Sequence, residues 1–315
     1  MAGLGRSSWV AVVVLGALLG ALLGAVGTAH AQDAATGTLH ERAVPPVADT
    51  FETPRSLAMG LGARASATST AAVGSNAAGL SIGRHYHIEA TSFYEPQGGR
   101  FGFGTALVDS HSGPIHAGLA FRYLQGNGAN GHGGLDGRVA LALPFGESFG
   151  IGLTGRYVSF WREGNPNATS AYAEGFTFDA SVRVTPIPGL HIAALGINLI
   201  DVGSPLVPVQ TGGSISYTID SALTLAFDGL ADLSTWHNAD GTIRPEAQFG
   251  GAVEYFTGEV PIRVGYAFDT GRDVHLISGG LGWTNRELGF EMSVRQQLNG
   301  PQHTWLMASF RYLVH

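Results

Sequence analysis

The chain has 315 residues, a formal net charge of -7, and 13 per cent charged residues, and Gly, at 47 residues, makes up about twice its usual share. The charge excludes a basic nucleic-acid binder, the 44 per cent apolar content excludes a disordered chain, and the abundance of Gly argues against long soluble helices. With no Cys there is no disulfide, no thiolate nucleophile and no Cys-ligated metal, so an all-β chain stabilised by its own fold is expected.

Residues 1–31 read as a secretory signal. Arg6 supplies the positive start, an apolar run extends from Trp9 to Val26, and Ala29-His30-Ala31 forms a small-residue cleavage site. A retained membrane helix is the competing reading; cleavage would start the mature chain at Gln32. From there to Ile82 the sequence is dominated by Ala, Gly, Ser and Thr, without alternation. Thr53 followed by Pro54 predicts a capped helix start. The run after it carries too few large apolar groups to form a core alone, so residues 32–82 are expected to pack inside something else.

After Gly83 the pattern changes to strands. Leu288, Phe290, Met292 and Val294 share one face, opposite Gly289, Glu291, Ser293 and Arg295. The same division separates Ile262, Val264, Tyr266 and Phe268 from Arg263, Gly265, Ala267 and Asp269, and Phe176 and Phe178 from Thr177 and Asp179. About fourteen such segments, with twelve as the lower bound, occupy residues 83–315. Their length of about nine to twelve residues suits tilted strands crossing a bilayer, since strands of a soluble sandwich average about five or six. A transmembrane antiparallel barrel follows, with its small and charged face in the lumen and its apolar face in outer-membrane lipid.

Connections alternate in the way such barrels require. Tight turns fall near Pro144 to Ser148, Pro186 to Gly189, Asp220 to Ser221, Thr257 to Glu259 and Thr284 to Arg286, with longer polar links between them, among them Glu163 to Gly175 and Asp201 to Gly212. The last strand carries Phe310 and Tyr312 near the C-terminus, similar to an outer-membrane insertion signal, although it ends in His315. Tyr94, Trp161, Tyr266 and Trp283 are candidates for interfacial girdles.

Lumen-facing charges are the candidate functional residues. Arg122, Arg138, Arg156, Arg183, Arg263, Arg295 and Arg311 stand against Glu89, Asp179, Asp228, Asp232, Glu254, Asp269 and Glu291. Such a balance predicts a paired network holding a plug, because an ion-selective ring carries one sign. His85, His87 and Glu89 share one strand face but span too far to ligate one metal, so no metal or other cofactor is expected. Gly126 to Gly131 spells G-x-G-x-x-G without a strand-turn-helix context and reads as a loop, as does the stretch reaching Asp136 and Gly137. There is no G-x-S-x-G, and no enzyme is expected.

The stretch from Pro54 to Leu80 resembles the start of the FadL-like outer-membrane transport superfamily, which includes the PorV/PorQ group. Gly60, Gly62, Arg64 and Ala65 match its Gly-rich beginning, and Asn76-Ala77-Ala78-Gly79-Leu80 stands where that family has Asn-Pro-Ala-Gly-Leu. The resemblance implies a fourteen-stranded barrel with an N-terminal hatch in its lumen, and outside loops trimmed in this short chain. Hatch residues Arg55, Arg64 and Asn76 would then find partners among the lumen charges. It also implies one of two roles: passage of small hydrophobic compounds through a moving hatch or lateral gap, or a non-transporting scaffold for secreted or envelope proteins. A soluble periplasmic β-sandwich that binds a ligand is the reading outside that family.

Overall fold

A computed structural model describes residues 51–84, 86–97, 99–126, 132–162, 173–238, 240–300 and 303–314. Residues 1–50, which include the expected signal, and residues 85, 98, 127–131, 163–172, 239, 301, 302 and 315 lie outside these. Fourteen strands form one closed antiparallel barrel, each paired with its neighbours in sequence and β1 (Tyr86–Glu95) closing on β14 (Thr304–Val314). A single closed sheet overturns the sandwich reading, which needs two packed sheets. No helix among the described residues is long and apolar enough to cross a membrane; this barrel crosses with its strands.

Alternation along the strands decides the register, because shifting a strand by one residue would send its charges into lipid. On β11 (Pro261–Asp269), Arg263 and Asp269 are buried inside, whereas Ile262, Val264 and Tyr266 face outward and are 45 to 57 % exposed. The same inversion repeats from Ile88 on β1 to Phe310 on β14, leaving large apolar side chains outside and charged ones inside. In water that arrangement would be unstable; against lipid it is the expected partition.

The chain's first and last strands meet at one end of the barrel, the terminal end, where the tight turns also lie. Asp220 and Ser221, between β8 (Gln210–Ile219) and β9 (Leu223–Asp232), both adopt left-handed φ of 50 and 56°, the paired geometry that follows the strand twist. The longer links lie at the opposite, loop end. Each strand pairs with its neighbours around the wall, but β6 (Ala173–Ile187) pairs with β7 (Leu190–Ile197) only from Ala180 onward, with a register shift between Val184 and Ile187 beside the turn, and above Ala180 it meets the following link, where Leu199 N donates to the Phe178 carbonyl at 2.8 Å.

Candidate functional site

The lumen is occupied by the chain's own segment of residues 51–82. The predicted cap at Thr53 forms: its Oγ1 accepts from Ser56 N at 3.3 Å, and Thr53 N donates to Ser56 Oγ at 2.8 Å. The helix it starts, α1 (Pro54–Ala58), is only 5 residues long. Gly60 stops it with a φ of 65°, and a Cβ there would lie 2.7 Å from the Tyr266 carbonyl oxygen. A 3-10 turn at Arg64–Ser66, α2 (Ser69–Ser75) and a second 3-10 turn at Ala77–Ser81 follow. Short pieces let the segment turn inside the barrel. α1 packs on β11, β12 (Val274–Thr284), β13 (Leu288–Gln297) and β14, the first 3-10 turn on β7 to β9, α2 on β1, β2 (Arg100–Asp109), β3 (His116–Gln125) and β4 (His132–Phe145), and the second turn on β3, β4, β5 (Phe149–Arg162) and β6.

Small residues permit this approach, and three polar clusters hold it. In the first, charges alternate from the segment across the wall. Arg55 Nε donates to Glu254 Oε2 at 3.0 Å, Arg263 joins Glu254 to Glu291, and Arg311 pairs with Glu291 at 2.7 Å. In the second, Arg295 binds Glu52 through both terminal nitrogens at 3.2 and 2.8 Å and also donates to the carbonyls of Leu57 (3.1 Å) and Gly60 (2.7 Å). One guanidinium thus clasps the beginning and end of α1.

The third cluster centres on Asp136, which has no exposed surface. Arg138 and Arg156 each bind both of its oxygens, at 3.0 and 3.0 Å and at 3.2 and 2.8 Å, and Arg122 lies 3.7 Å away. Arg138 also donates to the Gly74 carbonyl of α2 at 2.8 Å, and the Phe51 ring lies under both Arg122 and Arg138, with centroids 5.9 and 5.8 Å away. Arg156 reaches Asn198 Oδ1 at 2.7 Å. Sequence reading misses Asp136 because the glycines before it extend the apparent loop to Gly137, whereas β4 begins at His132. The i, i+2 spacing of Asp136 and Arg138 is the signal that places both on one strand face. Glu52 and the Glu95–Arg100 pair, which His303 joins at 2.8 Å, are further lumen charges that the sequence pattern did not single out.

Other candidates land differently. Asp228 accepts 2.9 Å bonds from the backbone N–H groups of Ala63 and Arg64, so it holds the segment without pairing to the Arg64 side chain. That side chain donates to the Ser75 carbonyl at 3.1 Å, and Asn76 Nδ2 donates to the Arg64 carbonyl at 2.8 Å. Of Arg55, Arg64 and Asn76, therefore, only Arg55 meets a wall carboxylate with its side chain; the other two brace the segment against itself. Gly62, with a φ of 110°, makes the bend between Arg55 and Arg64. Arg183 has hydroxyl and imidazole partners, Thr185 and His191, where a carboxylate was expected. Asp179 accepts from Asn198 N at 2.7 Å and lies 3.9 Å from Arg138. Asp232 and Asp269 serve the loop end, Asp232 accepting from the backbones of Ser234 and Thr235 and Asp269 pairing with Arg272. His87 and Glu89 receive Ser69 and Thr70 of α2.

Towards the loop end an apolar layer lies among these charges. Phe93, Leu124, Phe160 and Trp305 from the wall form one buried cluster with Leu206 and Val207, which the β7–β8 link carries into the lumen. Two cavities between the segment and the wall measure about 50 and 10 Å³. Both are far below an apolar cavity of about 150 Å³ of the kind that holds benzene. Among the described residues the lumen is therefore filled by the segment and by the apolar layer, which Leu57 of α1 joins. On the outer wall a shallow groove of about 650 Å³ lies over Gly137 and Gly155, backed by continuous strand pairing.

No protein-family model matches the chain, and no curated protein matches it in sequence. Solved structures match it in shape. A Pseudomonas aeruginosa FadL homologue superposes with a TM-score of 0.60 at 11% identity, over 85% of this chain and 98% of that one. The Ralstonia pickettii toluene transporter TbuX gives 0.58 at 16% identity, covering 84% and 98%, and the Pseudomonas putida toluene transporter TodX gives 0.53 at 12%, covering 83% and 97%. A closed wall of fourteen strands around an N-terminal helical segment is common ground here, and the chain has the fold of a FadL-like outer-membrane β-barrel.

Proposed function

We propose that the protein is a channel for small hydrophobic compounds in the outer membrane, gated by residues 32–82 as a hatch, and that the structure is its closed state. The observation that carries this reading is the seating of the segment. It fills the lumen yet is held by ion pairs and hydrogen bonds between small residues, contacts that water can replace when the segment moves. The shared fold with proteins described as toluene transporters supports the substrate class. A cleaved signal ending at Ala31 would deliver the chain to the envelope.

Ala58 and Gly280 test the gate. A Cβ on Gly280 would lie 2.8 Å from the Ala58 Cβ, close enough for a disulfide after a shift of about 1 Å, and the chain has no Cys to interfere. The pair Ala58→Cys, Gly280→Cys is placed in vesicles whose outer leaflet is lipopolysaccharide, and uptake of radiolabelled toluene is followed. Uptake above that of protein-free vesicles when the pair is reduced, lost on oxidation, is expected. Uptake that is indifferent to oxidation contradicts the hatch mechanism.

A second reading is a non-transporting scaffold of the PorV/PorQ kind for secreted or envelope proteins. The double closure of the lumen, with cavities too small for a hydrocarbon, favours it. Background uptake from the reduced pair would transfer the assignment to this reading.

A further inference from the structure

The cavity of about 50 Å³ between segment and wall is lined by five guanidinium groups, those of Arg64, Arg138, Arg156, Arg272 and Arg295, and by one carboxylate, that of Glu52. Four of the five have carboxylate partners: Asp136 for Arg138 and Arg156, Asp269 for Arg272, and Glu52 for Arg295. Arg64 differs. It is 6 % exposed and makes no ion pair within 4 Å among the described residues, and its Nε, like that of Arg295, has no hydrogen-bond partner. The nearby Asp228 is occupied by two backbone N–H groups. Asp228 acts on Arg64 without a direct pair, so this buried charge is only partly compensated, in a space where guanidinium-bearing residues outnumber carboxylates. By the same volume measure one water needs about 10–15 Å³. The cavity therefore has room for three or four waters or for one small anion, and none for a drug-sized organic molecule.

We propose that this cavity binds one small inorganic anion, a halide or an oxyanion up to the size of phosphate, which serves as the counter-ion of Arg64. Arg64 belongs to the lumenal segment, and the other four guanidiniums to the barrel. An anion between them ties the segment to the wall, so the ionic composition around the barrel sets how firmly the lumen is closed. This holds for either reading of the function.

The test uses the full mature chain in detergent. Thermal unfolding is followed at constant ionic strength while gluconate, too large for the cavity, is exchanged for bromide, chloride or phosphate. A midpoint that climbs with the logarithm of small-anion concentration is expected, as ligand binding to the folded state requires. Arg64→Gln should unfold at the same midpoint in every salt. A response to halide alone assigns a halide site, and a response to phosphate alone an oxyanion site. Should Arg64→Gln fail to fold, bromide anomalous density in crystals of the unmodified protein decides: a peak beside Arg64 supports the site. Midpoints that do not depend on the anion, or bromide peaks only elsewhere, mean that water fills the cavity and overturn the proposal.

Discussion

Alanine at Gly152 and Gly265 should loosen the lumenal segment without harming the barrel that surrounds it. A Cβ on Gly265 would lie 2.3 Å from Gly60 N and 2.6 Å from the Ala58 carbonyl oxygen. One on Gly152 would lie 2.1 Å from Ala78 N and 2.4 Å from the Ala77 carbonyl carbon. These obstacles are backbone and cannot rotate away, so the segment itself must shift. Overpacking costs about 1–3 kcal/mol per site. The two sites press on opposite ends of the segment and share no partners, so their effects should add, to about 2–6 kcal/mol. At about tenfold per 1.4 kcal/mol, even the lower figure raises the unseated population about 30-fold. Gly137 and Gly155 provide the control. Both lie on the same part of the wall, Gly155 on the very strand that carries Gly152, but a Cβ on either meets nothing within 4 Å. Alanine there should change stability by no more than about 0.5 kcal/mol. Ion conductance in planar bilayers, with protease sensitivity of residues 51–82 in the folded barrel, reads the difference. Gly152→Ala with Gly265→Ala should conduct and be cut, and Gly137→Ala with Gly155→Ala should do neither. A closed, uncut double variant with an unchanged unfolding midpoint would refute the seating argued from these contacts.

Asp136→Asn takes the shared carboxylate from three buried guanidiniums and should cost about 3–5 kcal/mol, read as a lower midpoint in urea unfolding from detergent; a variant as stable as the parent would count against the cluster. Glu254→Gln should be milder, because Arg263 keeps Glu291 and only Arg55 loses its carboxylate, and its expected sign is faster proteolysis of the segment at a nearly unchanged barrel midpoint. Exchanging the charges, Arg55→Glu with Glu254→Arg, should fail to restore protection, since Arg263 lies 2.5 Å from Glu254 and would face a second guanidinium. Intact mass of the protein recovered from envelopes should correspond to a chain starting at Gln32; a mass including residues 1–31 would instead support a retained helix.

The wall was legible from residue order because every strand solves the same local problem. A strand between lipid and a crowded lumen must alternate, and a reader needs no partner strand to see Phe290, Met292 and Val294 part company with Glu291, Ser293 and Arg295. Where alternation weakens, legibility ends. His132 to Gly137 is glycine-rich and reads as loop, yet it pairs with β3 and β5 (Phe149–Arg162) and brings Asp136 into the lumen. Leu206 and Val207 sit in a link with no periodicity, and nothing local says that the link folds inward.

Composition and periodicity by themselves determined the class of fold, the face each strand turns to lipid, the cap at Thr53 and, of the expectation that residues 32–82 need an enclosing structure, the part that residues 51–82 display. These depend on interactions within a few residues or on the solvent each face meets. Which charges pair was decided only by the tertiary structure. Glu52 and Arg295, or Arg55 and Glu254, are about two hundred residues or more apart, and their meeting depends on the closure of fourteen strands and on the bends at Gly60 and Gly62. An inventory of lumen charges constrains their sum; the three-dimensional path of the segment through the barrel chooses the partners and leaves Arg64 without a direct ion pair among the described residues.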